Sequence, residues 1–468
     1  MKKSGLVSNF QVLVALIIVL SVGYEMRAKE FSLQVLHVFQ SPGPLIPGSG
    51  VLRTSDGSLY GVTPQGDALE GGNGYGTIYQ IAPDGQITVL NVFNGSYGYY
   101  PTAGLVEGSD GNFYGSPEVG GPDGAFTSFF RISPTGNFTN ICSLYGGTNG
   151  YDPSYAMILA RDGNFYGTTT YGGAGYNEAD DTDNGGTVFK LTPTGEFTLL
   201  NSFVGTNGFQ PTGRLMQSTN GNIYGTTAFG GQFGFGTVFG ISPAGDFHTI
   251  FSFAGTNGAT PATGLVEGGD GWLYGMTEGD RNSYGHGTIY KVSTNGEFAV
   301  VASFDGTNGR YPTGTLVKDA DGELYGLAKL GGTFDGGTAF RLTTNNQIEV
   351  IASFNDDIGQ WPTELTKGND GNIYGTTSVS GGPFGDGTVF RLAKVPEVYS
   401  SSASNGVMNL TWSAFTGGVY RVEYKDSLSD TNWNLLSDRI TATTNSATFA
   451  DSPATEASRF YRVGLLPW

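Results

Sequence analysis

A Tyr-Gly pair occurs seven times along this chain, with its tyrosine at Tyr60, Tyr114, Tyr166, Tyr224, Tyr274, Tyr325 and Tyr374. Successive copies lie 49 to 58 residues apart, and two of them read GNIYGTT letter for letter, at 221–227 and 371–377. A period near fifty means one supersecondary unit repeated, not a series of unrelated domains. Each copy carries four short apolar runs, in the fourth GRLMQ, NIYGTT, GTVFGI and DFHTIFSF, separated by turn residues. Seven units of four antiparallel strands, none able to bury both faces of its own sheet, predict an all-β, seven-bladed β-propeller over 31–395. The ends complement each other: the last copy stops after GTVFRLAKV, and the orphan run FSLQVLHVF at 31–39 matches fourth strands such as EFTLLNSF. The N-terminal strand is therefore expected to close the last blade and leave no free sheet edge.

The dipeptides between the first two strands, Asp56-Gly57, Asp110-Gly111, Asp162-Gly163, Asn220-Gly221, Asp270-Gly271, Asp321-Gly322 and Asp370-Gly371, predict two-residue hairpin turns with positive φ at both positions. Turn chemistry accounts for this row of aspartates without a ligand site. Composition agrees: 77 glycines, 20 prolines and 14% charged residues suit a turn-dense β protein. The 31 Phe and 25 Tyr exclude a disordered Gly-rich polymer.

The run DGNFYGTTTYGG followed by GGTVFKLTPTGEFTLLNSF, 162–203, resembles the GloVer tandem repeat of exported bacterial proteins. The resemblance covers about 31–395, with a degenerate second copy in which TSFFRI replaces the GTVFKL pattern. It implies an exported repeat protein and supplies no catalytic residue. Beyond Val395 a different module begins. Its alternating strands carry Trp412, Tyr420, Val422, Tyr424 and Tyr461 and are similar to a small fibronectin type III-like β-sandwich over 396–468. Trp433 reads as rim packing or as a ligand-stacking ring.

Residues 1–23 read as a signal peptide, with Lys2 and Lys3 before an apolar run from Val12 to Val22; the alternative is a retained anchor. With the signal removed, no membrane span is expected, and the protein is placed outside the cytoplasm, in the periplasm, secreted or at the cell surface. A net charge of −18 argues against nucleic-acid partners. Cys142 is the single cysteine, so no intrachain disulfide forms, and its strand context reads as an inert, buried thiol.

Tight Asp-Gly and Pro-x-Gly turns gather on one face, and the variable loops gather on the other. Loops of unequal length on a rigid frame are where binding groups reside. Before the prolines of that face stand Tyr99, Tyr100, Tyr151, Phe209, Tyr311 and Trp361, and the neighbouring loops hold Asp305, Arg310, Asp356 and Asp357. These are the candidate ligand-binding residues, aromatic faces being suited to sugar rings or apolar side chains; the competing reading is that the rings wedge between blades. Calcium is the one cofactor left open, on Glu178, Asp180, Asp181 and Asp183, whose spacing is a fragment of a calcium loop and reads equally as a solvated acidic insertion. Only His37, His248 and His286 offer imidazole, on separate copies, and no zinc spacing, Ser-His-Asp set or phosphate loop stands out. The expectation is thus a non-catalytic binding or adhesion protein for a polysaccharide or a cell-surface protein. The alternatives are a carboxylate-dependent polysaccharide hydrolase or lyase and a structural surface scaffold.

Overall fold

A computed structural model describes residues 31–465, except 41–43, 67–73, 154, 175–184, 262, 280–284, 320–321, 383–384, 397, 405–406, 415–417, 428, 445 and 453–458. The chain divides into two compact units, one spanning 33–392 and the other built from the residues outside it.

In the larger unit each repeat forms an antiparallel sheet of four strands, the inner strand of the fourth repeat being split into Phe209–Pro211 and Met216–Gln217. The fourth repeat shows why. Its second strand, Ile223–Phe229, pairs with Thr237–Ile241, placing Gly225 directly opposite Phe239. A Cβ at Gly225 would lie 2.6 Å from the Phe239 ring, so the glycine of Tyr-Gly exists to let the neighbouring aromatic lie flat on the strand. The Tyr224 hydroxyl accepts a hydrogen bond from the turn residue Asn220 at 2.7 Å. Thr227 and Thr237 join hydroxyls at 2.9 Å, and Thr226 donates to the carbonyl of Thr263 in the next repeat at 2.9 Å. The second copy of GNIYGTT does the same work: Tyr374 donates to Asp370, Thr377 meets Thr388, and Thr376 donates to the carbonyl of Ser49 in the first repeat at 2.7 Å.

The first hairpin turn differs from the two-residue form expected. In the second repeat Gly111 N–H donates to Gly108 O at 3.0 Å and Gly108 N–H to Asn112 O at 2.8 Å, which makes a three-residue loop. Gly111 takes φ of +74° while Asp110 is absent from the positive-φ residues. This is a type I turn followed by one left-handed glycine. The aspartate works through its side chain, accepting from Asn112 N–H at 3.1 Å and from the Tyr114 hydroxyl at 3.0 Å. Burial pushes the Asp110 and Asp162 carboxyls up, but hydrogen bonds from Asn112 and Tyr114, and from Asn164 and Tyr166, outweigh it and hold both below their usual value. Each therefore stabilises the fold above the unfolded value of about 3.9 and loses that contribution as pH falls through the folded value. In acid titrations followed by near-ultraviolet circular dichroism, Asp162→Asn is expected to be less stable than the native chain at neutral pH and to converge with it as pH falls through the folded value of Asp162.

Successive sheets bury their faces on each other. One core joins Tyr60, Val62 and Phe93 to Leu105, Phe113 and Phe130, and others link the second to third, third to fourth, fourth to fifth and fifth to sixth repeats. The connection is the same at every junction but one. A phenylalanine ending the fourth strand packs its ring on the third-strand aromatic of the next sheet: Phe203 on Phe239 at 5.2 Å, Phe253 on Tyr290 at 5.0 Å, Phe354 on Phe390 at 5.0 Å. In the fourth to seventh repeats the residue before the opening proline donates its N–H to the preceding repeat: Gln210 to Gly185, Thr260 to Phe235, Tyr311 to His286 and Trp361 to Gly336.

Contacts of this kind also run from the last repeat to the first. The strand Phe31–Val38 joins Thr388–Lys394 as the outer strand of the seventh sheet, whose order is completed by Ile373–Val379 and Gln360–Lys367. Phe39 meets Tyr79 at 5.2 Å, Ile46 N–H donates to Asp386 O at 2.9 Å, and Arg53 pairs with Asp370 at 3.4 Å. The junction between the second and third repeats departs from the rule: Thr127 stands at the glycine position and Leu144 at that of the phenylalanine, while the ring of the neighbouring Phe126 meets Tyr151, which stacks on Tyr171.

The smaller unit has two three-stranded sheets, one formed by Val398–Ser404, Val407–Ser413 and Ser446–Asp451 and the other by Asn434–Thr441, Val419–Lys425 and Phe460–Leu465. They share a core of Leu410, Trp412, Tyr420 and Val422, against which Tyr461 and Val463 pack. Trp433 has Lys425 and Arg462 over its ring at 5.0 and 4.5 Å, so it serves as a packing surface for two cations.

Candidate functional site

Residues at and after the opening prolines of every repeat but the fourth line a cavity of about 360 Å³. Two register positions line it. The first is two residues after the opening proline, where most repeats hold a small residue, such as Ser49, Ala103 and Gly314, but Tyr155 and Glu364 stand in the third and seventh. The second lies four residues after the tyrosine of Tyr-Gly and carries Glu118, Glu278, Lys329 and Ser378. Three carboxylates and one ammonium thus face one space.

Trp361 forms part of the wall and is still 40% exposed. It has φ of +54°, and the other six residues before an opening proline are left-handed too, from Ile46 to Tyr311. Non-glycine residues adopt this conformation only where the surroundings enforce it. For Trp361 the N–H bond to Gly336 O at 2.9 Å holds this segment against the preceding repeat. The Lys329 ammonium sits 5.3 Å from the centre of the Trp361 ring, and Ser378 Oγ donates to the Trp361 carbonyl at 3.2 Å.

Electrostatics set the protonation states. Burial raises the Glu118 carboxyl. Burial, and then the negative charges of Glu278, Glu364 and Asp152, push the Tyr155 hydroxyl far above its usual value, so it remains a hydrogen-bond donor. Glu364 accepts a bond from Gly50 N–H at 3.4 Å, which ties the seventh repeat to the first at the cavity wall.

The sequence profile of the Gloeobacter/Verrucomicrobia repeat matches residues 47–285 and 279–408. The chain belongs to the Gloeobacter/Verrucomicrobia repeat family. No curated protein sequence matches it. Among solved structures it is similar to a gluconolactonase from Xanthomonas campestris, at 16% identity, TM-score 0.38, and coverage of 64% of this chain and 86% of that one. It is also similar to PorZ, a surface component of the type-IX secretion system of Porphyromonas gingivalis, at 13% identity, TM-score 0.47, and coverage of 91% and 60%. A protein from Bacteroides uniformis classed with the 6-phosphogluconolactonases gives 15% identity, TM-score 0.42, and coverage of 86% and 99%. At these scores none of the likenesses carries an activity or a residue to this chain.

Within the Gloeobacter/Verrucomicrobia repeat, the candidate binding residues fall into separate groups. Of them, only Trp361 lines the cavity. Tyr99 and Tyr100 cluster with Tyr75 at 5.4 and 6.4 Å; Tyr151 is sandwiched by Phe126 and Tyr171; Phe209 stacks on Phe229 at 5.5 Å. Tyr311 is half-buried beside Arg310, whose guanidinium pairs with Asp335 at 2.9 Å. Asp305 accepts bonds from Thr307 and Asn308 inside its own turn, and Asn308 N–H, the Thr307 hydroxyl and Thr307 N–H hold its carboxyl low. Asp356 accepts from Gln360 at 2.7 Å, while the backbone N–H of Asp357 donates to Asn355. Glu178, Asp180, Asp181 and Asp183, proposed for calcium, lie outside the described residues, as does the signal segment 1–23.

None of the three histidines lines the cavity. His37, whose ring meets Phe39 at 4.9 Å, is lowered by burial; His248 lies on the outer strand Phe247–Ser252; the His286 carbonyl accepts from Tyr311. Cys142 is half-buried on Phe138–Leu144, with its thiol raised by burial. Among the described residues, no helix is long and apolar enough to cross a membrane. The cavity residues Glu118, Tyr155, Glu278, Lys329 and Glu364 were not candidates from sequence, although comparing the copies position by position marks them as departures from small or uncharged residues.

Proposed function

We propose that the repeat region is a seven-bladed β-propeller, closed by its N-terminal strand and followed by a fibronectin type III-like β-sandwich over 396–468, and that it is an exported protein binding polysaccharide on its long-loop face. One observation carries this reading. Among the described residues, every exposed aromatic side chain lies in the loops of that face or at their ends, including Tyr97, Tyr100, Phe126, Tyr145, Phe233, Phe334 and Trp361. Exposed rings concentrated on one face mark a binding surface, and a central cavity bordered by Trp361 gives it a place to hold one sugar unit. The family membership and the net charge of −18 suit an extracellular protein that avoids nucleic acid. The test is a pull-down of the mature chain on insoluble polysaccharides together with a glycan array. Trp361→Ala is expected to weaken the saturable binding about tenfold, the loss of one stacking ring. Absence of binding to every glycan would turn the reading toward a surface-protein partner or a scaffold.

A second reading, a carboxylate-dependent hydrolase or lyase, draws on Glu278, Glu364 and the protonated Tyr155 facing one cavity. Paired carboxyl groups are the requirement for glycoside hydrolysis. If this is right, the purified protein releases reducing ends from a bound polysaccharide, and Glu364→Gln abolishes release while binding persists. Binding without release in the native chain would exclude it.

A further inference from the structure

We infer that the central cavity takes a protonated amino sugar, such as a glucosamine residue of a de-N-acetylated glycan; this rests on the polysaccharide reading above and names its ligand class. The inner strands are packed for small residues. A Cβ at Gly213 would lie 2.5 Å from the Thr263 carbonyl oxygen, and one at Gly314 would lie 2.8 Å from that of Thr363. Glu364 and Tyr155 replace small residues at that same position, and both open into the cavity. Glu118 and Glu278 stand where other copies hold Pro64, Thr170 and Ala228. Breaks in a repeat rule that gather on one cavity point to what the cavity does, since packing alone would have kept the rule.

Charge selects the ligand. Three carboxylates against Lys329 give the enclosed space a negative potential, which the cavity walls concentrate. Uronates, sulfated glycans and phosphates are repelled, and an ammonium is attracted. A bare metal ion fits less well. Among the described residues no three acidic, Cys or His side chains converge closely enough to hold one. The carboxylates surround the space instead of meeting at a point, which suits a cation spread on an organic ring. The remaining lining recognises a sugar: the Tyr155 hydroxyl as donor, the hydroxyls of Thr102, Thr313 and Ser378, and the Trp361 face, over which Lys329 already places a cation.

The test is calorimetric titration of the full mature chain with three oligosaccharides of equal length: glucosamine, N-acetylglucosamine and galacturonate oligomers, with calcium chloride alone as a fourth titrant. Glucosamine oligomers are expected to bind about tenfold more tightly than the acetylated ones. That margin should shrink in roughly 0.5 M salt, and it should vanish in Glu278→Gln. Glu364→Gln is the second variant; because its carboxylate holds Gly50 N–H, its folding is checked by circular dichroism, and the salt and Glu278→Gln results stand without it. Equal binding of the acetylated or galacturonate oligomers, or a margin unchanged in Glu278→Gln, overturns the amino-sugar inference and leaves the polysaccharide reading intact. Calcium heats abolished by Glu278→Gln overturn it in favour of a metal. Failure of every saccharide to bind overturns both.

Discussion

Gly387→Ala is expected to destabilise the larger unit by roughly 3–5 kcal/mol, combining backbone strain with a clash the surroundings cannot relieve. Gly387 has φ of +108°, and a Cβ there would lie 2.7 Å from Pro47 Cδ and closer still to the carbonyl oxygen of Thr377. Both obstacles are rigid, a ring and a backbone. The glycine belongs to the last repeat and the proline to the first, so the substitution strikes the junction that joins the two ends. Gly85→Ala is the control: φ is +85° but no atom lies within 4 Å, so only conformational strain of about 1 kcal/mol is expected. Urea unfolding midpoints of the two variants should differ clearly; equal shifts would mean that Gly387 and Pro47 do not meet in solution.

Phe39→Ala is expected to cost about 3–5 kcal/mol, the range for emptying a buried phenylalanine site. Phe39 is 1% exposed, its N–H donates to Gly387 O at 3.0 Å, and its ring packs edge-on against Tyr79. Phe253 has the same relations to Gly236 and Tyr290 in the middle of the chain. The two alanine variants should therefore be destabilised equally, within about 1 kcal/mol. A much smaller effect at Phe39 would show that the N-terminal strand contributes less than an interior strand and that the seventh sheet stands without it.

The sheets were legible in the sequence because each repeated letter has a nearby partner. Tyr224 meets its turn, Gly225 admits Phe239, and Thr227 meets Thr237, all within one hairpin or its neighbour. The turn type was not, because Asp-Gly specifies a left-handed glycine but not the loop length, and Asp110 binds through its carboxylate, not through a positive φ. The cavity was hidden for a different reason. Glu118, Glu278 and Glu364 lie far apart in the chain and come to line one cavity only in the folded structure. The aromatic candidates were conspicuous individually, yet Tyr151 and Phe209 spend their faces on Tyr171 and Phe229. Of the aromatic candidates, only Trp361 belongs to both the rim and the cavity.

The pairing of Phe31–Val38 with Thr388–Lys394 also governs how the chain can fold. Among the earliest described residues to leave the ribosome are those of a strand whose hydrogen-bonding partner comes more than three hundred residues later. Until then it is an unpaired apolar edge, the kind of segment that aggregates. The intervening sheets can assemble locally and quickly, but completion waits on one contact of very large sequence separation, the slowest class of folding event. A chain cut short between Ser353 and Thr388 would retain most of its sheets and still have a waiting edge at its start.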